Sequence, residues 1–199
     1  MLKGCYRDGV VECGCDEAGR GCLAGPVFAA AVILPKGYEN ALLNDSKQLS
    51  AKQRERLREE IERESVAWAV ASVDNEGIDR MNILRASMHA MNEAIRQLSR
   101  KPELLLIDGN RFYNETETEY ACIVKGDGKY MSIAAASILA KTHRDEYMER
   151  LDAECPGYGW GRNKGYPTAA HYEAIERLGV TQYHRRSFKL RKDPELELG

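Results

Sequence analysis

Residues 27–34 read Val-Phe-Ala-Ala-Ala-Val-Ile-Leu, eight apolar residues with no polar break. A strand with one wet face alternates apolar and polar side chains, so an unbroken run predicts a strand covered on both faces. Such a strand needs a packed layer on each side, which points to an α/β fold rather than an open sheet. Residues 10–15 are short and apolar-rich, follow Asp8-Gly9, and predict a second strand. The short connection between the two fits a hairpin-like antiparallel pair.

The rest of the chain supplies the covering layers. Ser50 is placed to cap a helix over residues 51–64, whose charged surface puts it on the outside. Residues 66–73 predict a third strand. Met81, Leu84, Met88, Met91, Ile95 and Leu98 recur at intervals of three and four, one face of an amphipathic helix. A Met-rich face serves either a docking groove or a core, and the core-facing reading is the expectation. Short apolar strands are predicted at 104–107 and 122–124. A long helix follows over 132–151, and its small residues at the start permit close packing on a sheet. The Pro-Gly-Tyr-Gly-Trp-Gly break at 156–161 sets a boundary between residues 1–155 and a C-terminal extension, 156–199. That extension holds a short helix over 169–178 behind Thr168, then a basic tail.

Several classes fall away. The uncharged stretch at 22–35 is 14 residues long and carries Gly25 and Pro26; a membrane span needs about 20 apolar residues. No apolar core of a secretory signal is visible at the start. The six cysteines (5, 13, 15, 22, 122 and 155) form no C-x-x-C pair and no His-bearing zinc spacing, so reduced thiols in a cytoplasmic protein are expected. The net charge of −2, from 29 Lys+Arg against 31 Asp+Glu, looks unsuited to nucleic acid. The distribution reverses this: residues 156–192 hold eight Lys+Arg against two Asp+Glu. A local basic segment of this kind binds phosphates in a salt-dependent way.

The chemistry sits beside the strands. Asp16 and Glu17 follow the first predicted strand, Asp108 ends the fourth, and Asp127 lies just past the fifth. Each carboxylate directly follows an apolar strand, so the strand ends can converge on one spot. Converging carboxylates cannot all ionise without cations, and hard divalent ions with oxygen ligands, Mg²⁺ or Mn²⁺, resolve the conflict. Next to the first pair stands Gly19-Arg20-Gly21. Glycines let backbone N–H groups approach a ligand, and the arginine offers a fork for phosphate. This reads as a phosphate or sugar reader beside a metal centre.

These residues carry a family likeness. Asp16-Glu17-Ala18-Gly19-Arg20-Gly21, followed by Leu23-Ala24-Gly25-Pro26-Val27, closely resembles the opening signature of the ribonuclease HII family, the type 2 ribonucleases H. Further matches run in order: Asp45-Ser46-Lys47, Ile107-Asp108-Gly109-Asn110, Lys125-Gly126-Asp127, the helix start from Ile133 to Lys141 with Arg144-Asp145, Gly165-Tyr166-Pro167-Thr168 with His171, and His184-Arg185-Arg186-Ser187-Phe188.

The resemblance implies a ribonuclease H-like α/β fold: a five-stranded mixed sheet flanked by helices, with a small C-terminal helical extension for substrate. It implies an endonuclease that cuts the RNA strand of RNA–DNA hybrids. It also implies cutting 5′ of a single ribonucleotide in duplex DNA, leaving 3′-hydroxyl and 5′-phosphate ends. Asp16, Glu17, Asp108 and Asp127 are then the catalytic carboxylates, holding two Mg²⁺ or Mn²⁺ ions during catalysis. By the same resemblance Gly19, Arg20 and Gly21 sense the ribose 2′-OH, the group that tells RNA from DNA locally. Tyr166 packs on the sugar just 3′ of the ribonucleotide, and Lys47 contacts phosphate. The type 3 relative carries an extra N-terminal domain, for which little chain precedes the first strand. No histidine base is required: His89 and His143 are expected to be structural, and His171 and His184 to support the Tyr166 loop or contact backbone. Asp145 is the fallback fourth ligand, with a helix salt bridge as its expected role. A monomer without membrane association is the default, and no recruiting motif is read in residues 190–199. Two other classes stay open: a metal-dependent DNA nuclease on the same fold, and a non-catalytic nucleic-acid binding module.

Overall fold

The structure is a computed structural model that describes residues 2–45 and 49–191. Five strands form one mixed sheet: β1 (Glu12–Ala18), β2 (Val27–Ile33), β3 (Ala67–Val73), β4 (Leu104–Asp108) and β5 (Glu119–Ile123), in the order β3-β2-β1-β4-β5. The β1–β2 and β2–β3 pairs are antiparallel; β1–β4 and β4–β5 are parallel. The helices are α1 (Ala51–Glu64), α2 (Asn75–Met81), α3 (Ile83–Arg96), α4 (Met131–Glu154), α5 (Trp160–Asn163) and α6 (Ala169–Leu178).

The apolar run of β2 is covered on both faces. Ala30 and Val32 pack with Leu57 and Ile61 of α1 and the alanines of α4. Ala29, Ala31 and Ile33 pack with Ala90, Met91, Ala94 and Ile95 of α3. Successive strand residues point to opposite faces, so a strand between two helical layers must be apolar throughout. The close approach of α4 to the sheet is fixed by one glycine. A Cβ on Gly14 of β1 would lie 2.1 Å from the Ser132 carbonyl carbon and 2.4 Å from the Ile133 nitrogen. No side chain fits there, and the first turns of α4 rest directly on the β1 backbone.

Several elements differ from the sequence-based expectations. β1 runs on to Ala18, so Asp16 and Glu17 lie within the strand rather than after it. Their ladder partners are Ala30 and Ala29 of the long β2 run, and pairing extends as far as the partner does. The periodic stretch from Met81 to Leu98 is two helices. Asn82 adopts a positive φ of 69° and caps α3 by accepting a bond from the Arg85 N–H. Asp74 caps α2 in the same way through the Gly77 N–H at 2.7 Å. Met91 and Ile95 face the core, whereas Leu84 is exposed. β5 begins three residues before the predicted strand, because an edge strand tolerates the exposed Glu119 and Tyr120.

Residues 156–191 pack against α4 and the loop after β1. Leu23, Ala24, Met148, Leu151, Tyr158, Trp160, Ala174 and Ile175 form one buried cluster. The Trp160 indole N–H donates to His171 Nε2 at 2.9 Å. An indole only donates, so Nε2 is unprotonated, and Nδ1–H donates to the Tyr166 carbonyl at 3.0 Å. A neutral His171 therefore ties the helix α6 to the Tyr166 loop.

Candidate active site

β1, β4 and β5 run parallel, so their C-terminal ends lie at one side of the sheet. Asp16 and Glu17 sit at that end of β1, and Asp108 closes the adjacent β4. Asp127 is in a single 3-10 turn, Gly126–Gly128, just after β5. The turn and the strand are tied together: the Gly126 N–H donates to Asp108 Oδ1 at 2.6 Å. Asp127 Oδ1 accepts from the Gly128 N–H at 2.9 Å.

The two β1 carboxylates are perturbed. Burial pushes Asp16 well above the usual carboxylate range, and the charges of Glu17 and Asp108 add to it; hydrogen bonds from Ser137 and the Glu17 N–H oppose the rise. Glu17 is also raised, first by burial and further by Asp108, against the pull of Arg20. Arg20 Nη1 lies 3.0 Å from Glu17 Oε1. A buried carboxylate strained by like charges is relieved by a cation among them. The donors are all carboxylate oxygens, which suits a hard divalent ion. The donor chemistry suits Mg²⁺ or Mn²⁺. Asp16 and Glu17 both feel the charge of Asp108, and Asp127 sits on the turn fastened to Asp108. These four are the residues that would hold an ion, although no three of them place ligand atoms within 4.8 Å of one another.

A cleft of about 450 Å³ opens beside this cluster. Its walls include Glu17, Gly19, Arg20, Gly21, Asp127 and Tyr166, so the loop after β1, the turn after β5 and the Tyr166 loop meet there. Tyr166 is partly exposed, and its ring is flanked by Lys141 Nζ and the Arg144 guanidinium, each 5.8 Å from its centroid. Lys47 lies outside the described residues. Asp145 pairs with Lys141 one turn earlier in α4, as a helix salt bridge.

Sequence reasoning assigned no role to Ser137, Arg54 and Lys141, which join the cleft walls. It also left Arg144 and Arg185 without one, although both are fully buried. One signal was legible. Arg144 shares a helical stripe with Ala140, Met148 and Leu151, at steps of four, four and three, and all four are buried. Away from the cleft, His89, Glu93 and Glu115 place ligand atoms within 4.8 Å of one another. Arg96 already pairs with both glutamates there, and it lowers the Glu115 carboxyl.

Comparison with known proteins agrees with this architecture. The family model for ribonuclease HII matches residues 13–191. A protein of Bacteroides fragilis (strain YCH46) named ribonuclease HII is 60% identical over 198 residues, covering 100% of this chain and 98% of the relative. The ribonuclease HII of Archaeoglobus fulgidus, solved as a complex with PCNA, aligns with a TM-score of 0.77 at 29% identity, covering 94% of this chain and 100% of that one. The ribonuclease H2 of Pyrococcus horikoshii OT3 aligns with a TM-score of 0.75 at 26% identity, covering 90% and 94% of the two chains. The fold is the ribonuclease H-like one, and the chain belongs to the ribonuclease HII family.

Proposed function

We propose that this ribonuclease H cuts the RNA strand of RNA–DNA hybrids and the 5′ side of single ribonucleotides in duplex DNA, leaving 3′-hydroxyl and 5′-phosphate ends. The observation that carries the reading is the cleft in which Gly19-Arg20-Gly21 shares a wall with Glu17 and Asp127. A group that reads the sugar thereby stands next to the groups that act on its phosphate.

Asp16, Glu17, Asp108 and Asp127 would hold two divalent cations, Mg²⁺ or Mn²⁺. When bound, such ions supply an activated water and neutralise the leaving 3′ oxygen. The remaining roles fall to the chain. The Gly126 N–H fixes the Asp108 carboxylate, and Ser137 and the Glu17 N–H fix Asp16. Arg20, half-exposed and anchored on Glu17, would offer its guanidinium to a phosphate in the cleft. A side chain on Gly21 would meet nothing within 4 Å, which leaves room for a sugar to reach the backbone there. Tyr166 offers its ring to the neighbouring sugar. Residues 156–199 serve as the substrate-binding extension and contribute the basic segment.

The test is cleavage of three duplexes in Mg²⁺, Mn²⁺ or EDTA: an RNA–DNA hybrid, DNA with one ribonucleotide, and all-DNA. The first two are expected to be cut with either ion and spared in EDTA, while all-DNA stays intact throughout. Comparable cutting of all-DNA supports the DNA-nuclease reading instead, and binding without turnover supports a binding module.

A further inference from the structure

Arg144 and Arg185 are both fully buried. Among the described residues, every hydrogen bond of either guanidinium goes to a backbone carbonyl rather than to a carboxylate. Arg144 donates to Pro26 (2.9 Å), Lys164 (2.8 Å) and Ala24 (3.2 Å). Arg185 donates to Gly25 (2.9 Å), Arg20 (2.8 Å) and Gly19 (2.7 Å). Burying a guanidinium is costly, and six carbonyls of the same few loops are what offset it here.

The carbonyls chosen by Arg185 have a consequence. In a trans peptide the C=O and the following N–H point in opposite directions, and no peptide in the described chain is cis. Drawing the Gly19 and Arg20 carbonyls inward to Arg185 turns the Arg20 and Gly21 N–H groups outward. Arg20 and Gly21 are exposed at the cleft wall. Arg144 presses the loop from behind: a Cβ on Gly19 would lie 2.0 Å from its Nε, and Gly19 has a φ of +92°. Glycine at 19 is thus a packing requirement, whereas glycine at 21 leaves open space. The C-terminal segment is also held in register, since the Arg185 N–H donates to the Leu23 carbonyl at 2.8 Å and the Gly25 N–H donates to the Tyr183 carbonyl at 2.9 Å.

We propose that Arg185 is a positioning residue for sugar discrimination: by holding two carbonyls of the Gly19-Arg20-Gly21 loop, it aims the loop's amide donors at the ribose. This rests on the reading that the loop senses the 2′-OH. Lysine cannot replace it, because one ammonium on a flexible stem does not span three fixed carbonyls. On the outer side, the Asp79 carboxylate accepts from the Arg186 N–H at 2.9 Å and the Ser187 N–H at 3.0 Å, pinning the turn that carries Arg185.

The experiment measures affinity for a single-ribonucleotide duplex and for the matching all-DNA duplex in Mg²⁺. Both are measured in an Asp108→Asn background that does not turn over, with and without Arg185→Lys. The background protein is expected to prefer the ribonucleotide by about tenfold, the effect of one well-made hydrogen bond. Arg185→Lys is expected to reduce that preference to about twofold or less, with all-DNA affinity unchanged. A preference retained in Arg185→Lys overturns the proposal. Absence of any preference in the background protein overturns the loop reading instead. Should Arg185→Lys fail to fold, Asp79→Asn decides: this surface change is expected to weaken the preference about threefold, and an unchanged preference overturns the proposal.

Discussion

Among the described residues, charge is buried in two contrasting places. At the strand ends, burial raises the proton affinity of Asp16 and Glu17, and the Asp108 charge raises it further, with Arg20 as a counter-charge on Glu17. Behind the neighbouring loop, Arg144 and Arg185 are buried and satisfied by six backbone carbonyls. The first arrangement keeps Asp16 and Glu17 above the usual carboxylate range despite their hydrogen bonds and ion pair. The second is complete as folded. Burial alone therefore does not mark a group that asks for a ligand; a raised proton affinity beside like charges does.

The sharpest way to break this comparison is Asp108→Asn. Asparagine keeps an oxygen for the Gly126 N–H but loses the negative charge. Cleavage of an RNA–DNA hybrid is expected to fall by about 10³-fold or more, equivalent to about 4 kcal/mol. Hybrid binding and the melting temperature in EDTA are expected to hold or improve, because one member of a repelling cluster is gone. Turnover near the parent rate, in the same Mg²⁺, contradicts the assignment of the cluster.

A second prediction concerns the neutral side of the C-terminal packing. His184 is 1% exposed and accepts from the Thr181 N–H at 3.0 Å through Nδ1. Burial, together with the nearby His171, lowers it to about 4. Burial lowers His171 as well, against the hydrogen bonds it makes to backbone. A depressed histidine binds its proton more readily when unfolded. Stability is then full above the unfolded value of about 6.5 and is lost as pH falls toward 4, by up to about 3 kcal/mol. Ring-proton NMR checks this directly. His184 is expected to remain neutral at pH 5, and a midpoint near 6.5 shows that the pocket does not exclude the charge.

Much of this was legible in the sequence because short-range physics decides it. The unbroken run over 27–34 announced a doubly covered strand. Ser50 and Thr168 announced helix starts, and both accept the capping bond. Asp108 and Asp127 stood out because each follows a short apolar strand, and the structure places them at the end of β4 and just past β5. The illegible parts are those decided by partners distant in sequence. β1 extends through two acids because β2 supplies alanines opposite them. The break at Asn82 leaves the three-four periodicity intact on both sides. Arg185 reads as one more basic residue in a basic tail, and only its contacts with residues 19, 20 and 25 reveal a buried clamp.

The smallest predicted effect separates two aspartates that both stand near the cleft. Asp127 is carried on the turn that the Gly126 N–H fastens to Asp108, and it lines the same cleft as Glu17. Asp145 faces Lys141 along α4, with a third of the lysine side chain and a fifth of the aspartate exposed. An i,i+4 pair of that exposure contributes about 0.3–0.5 kcal/mol, and nothing in it depends on a metal. Asp145→Asn is therefore expected to change kcat by less than about twofold, whereas Asp127→Asn is expected to lower it by about tenfold or more. Both variants are measured on one hybrid across a Mg²⁺ titration. An Asp127→Asn loss that excess Mg²⁺ partly restores fits weakened ion binding at the turn. An equal or larger loss for Asp145→Asn moves the fourth ligand from the turn after β5 to α4, because a solvated helix pair has no other route to an effect of that size.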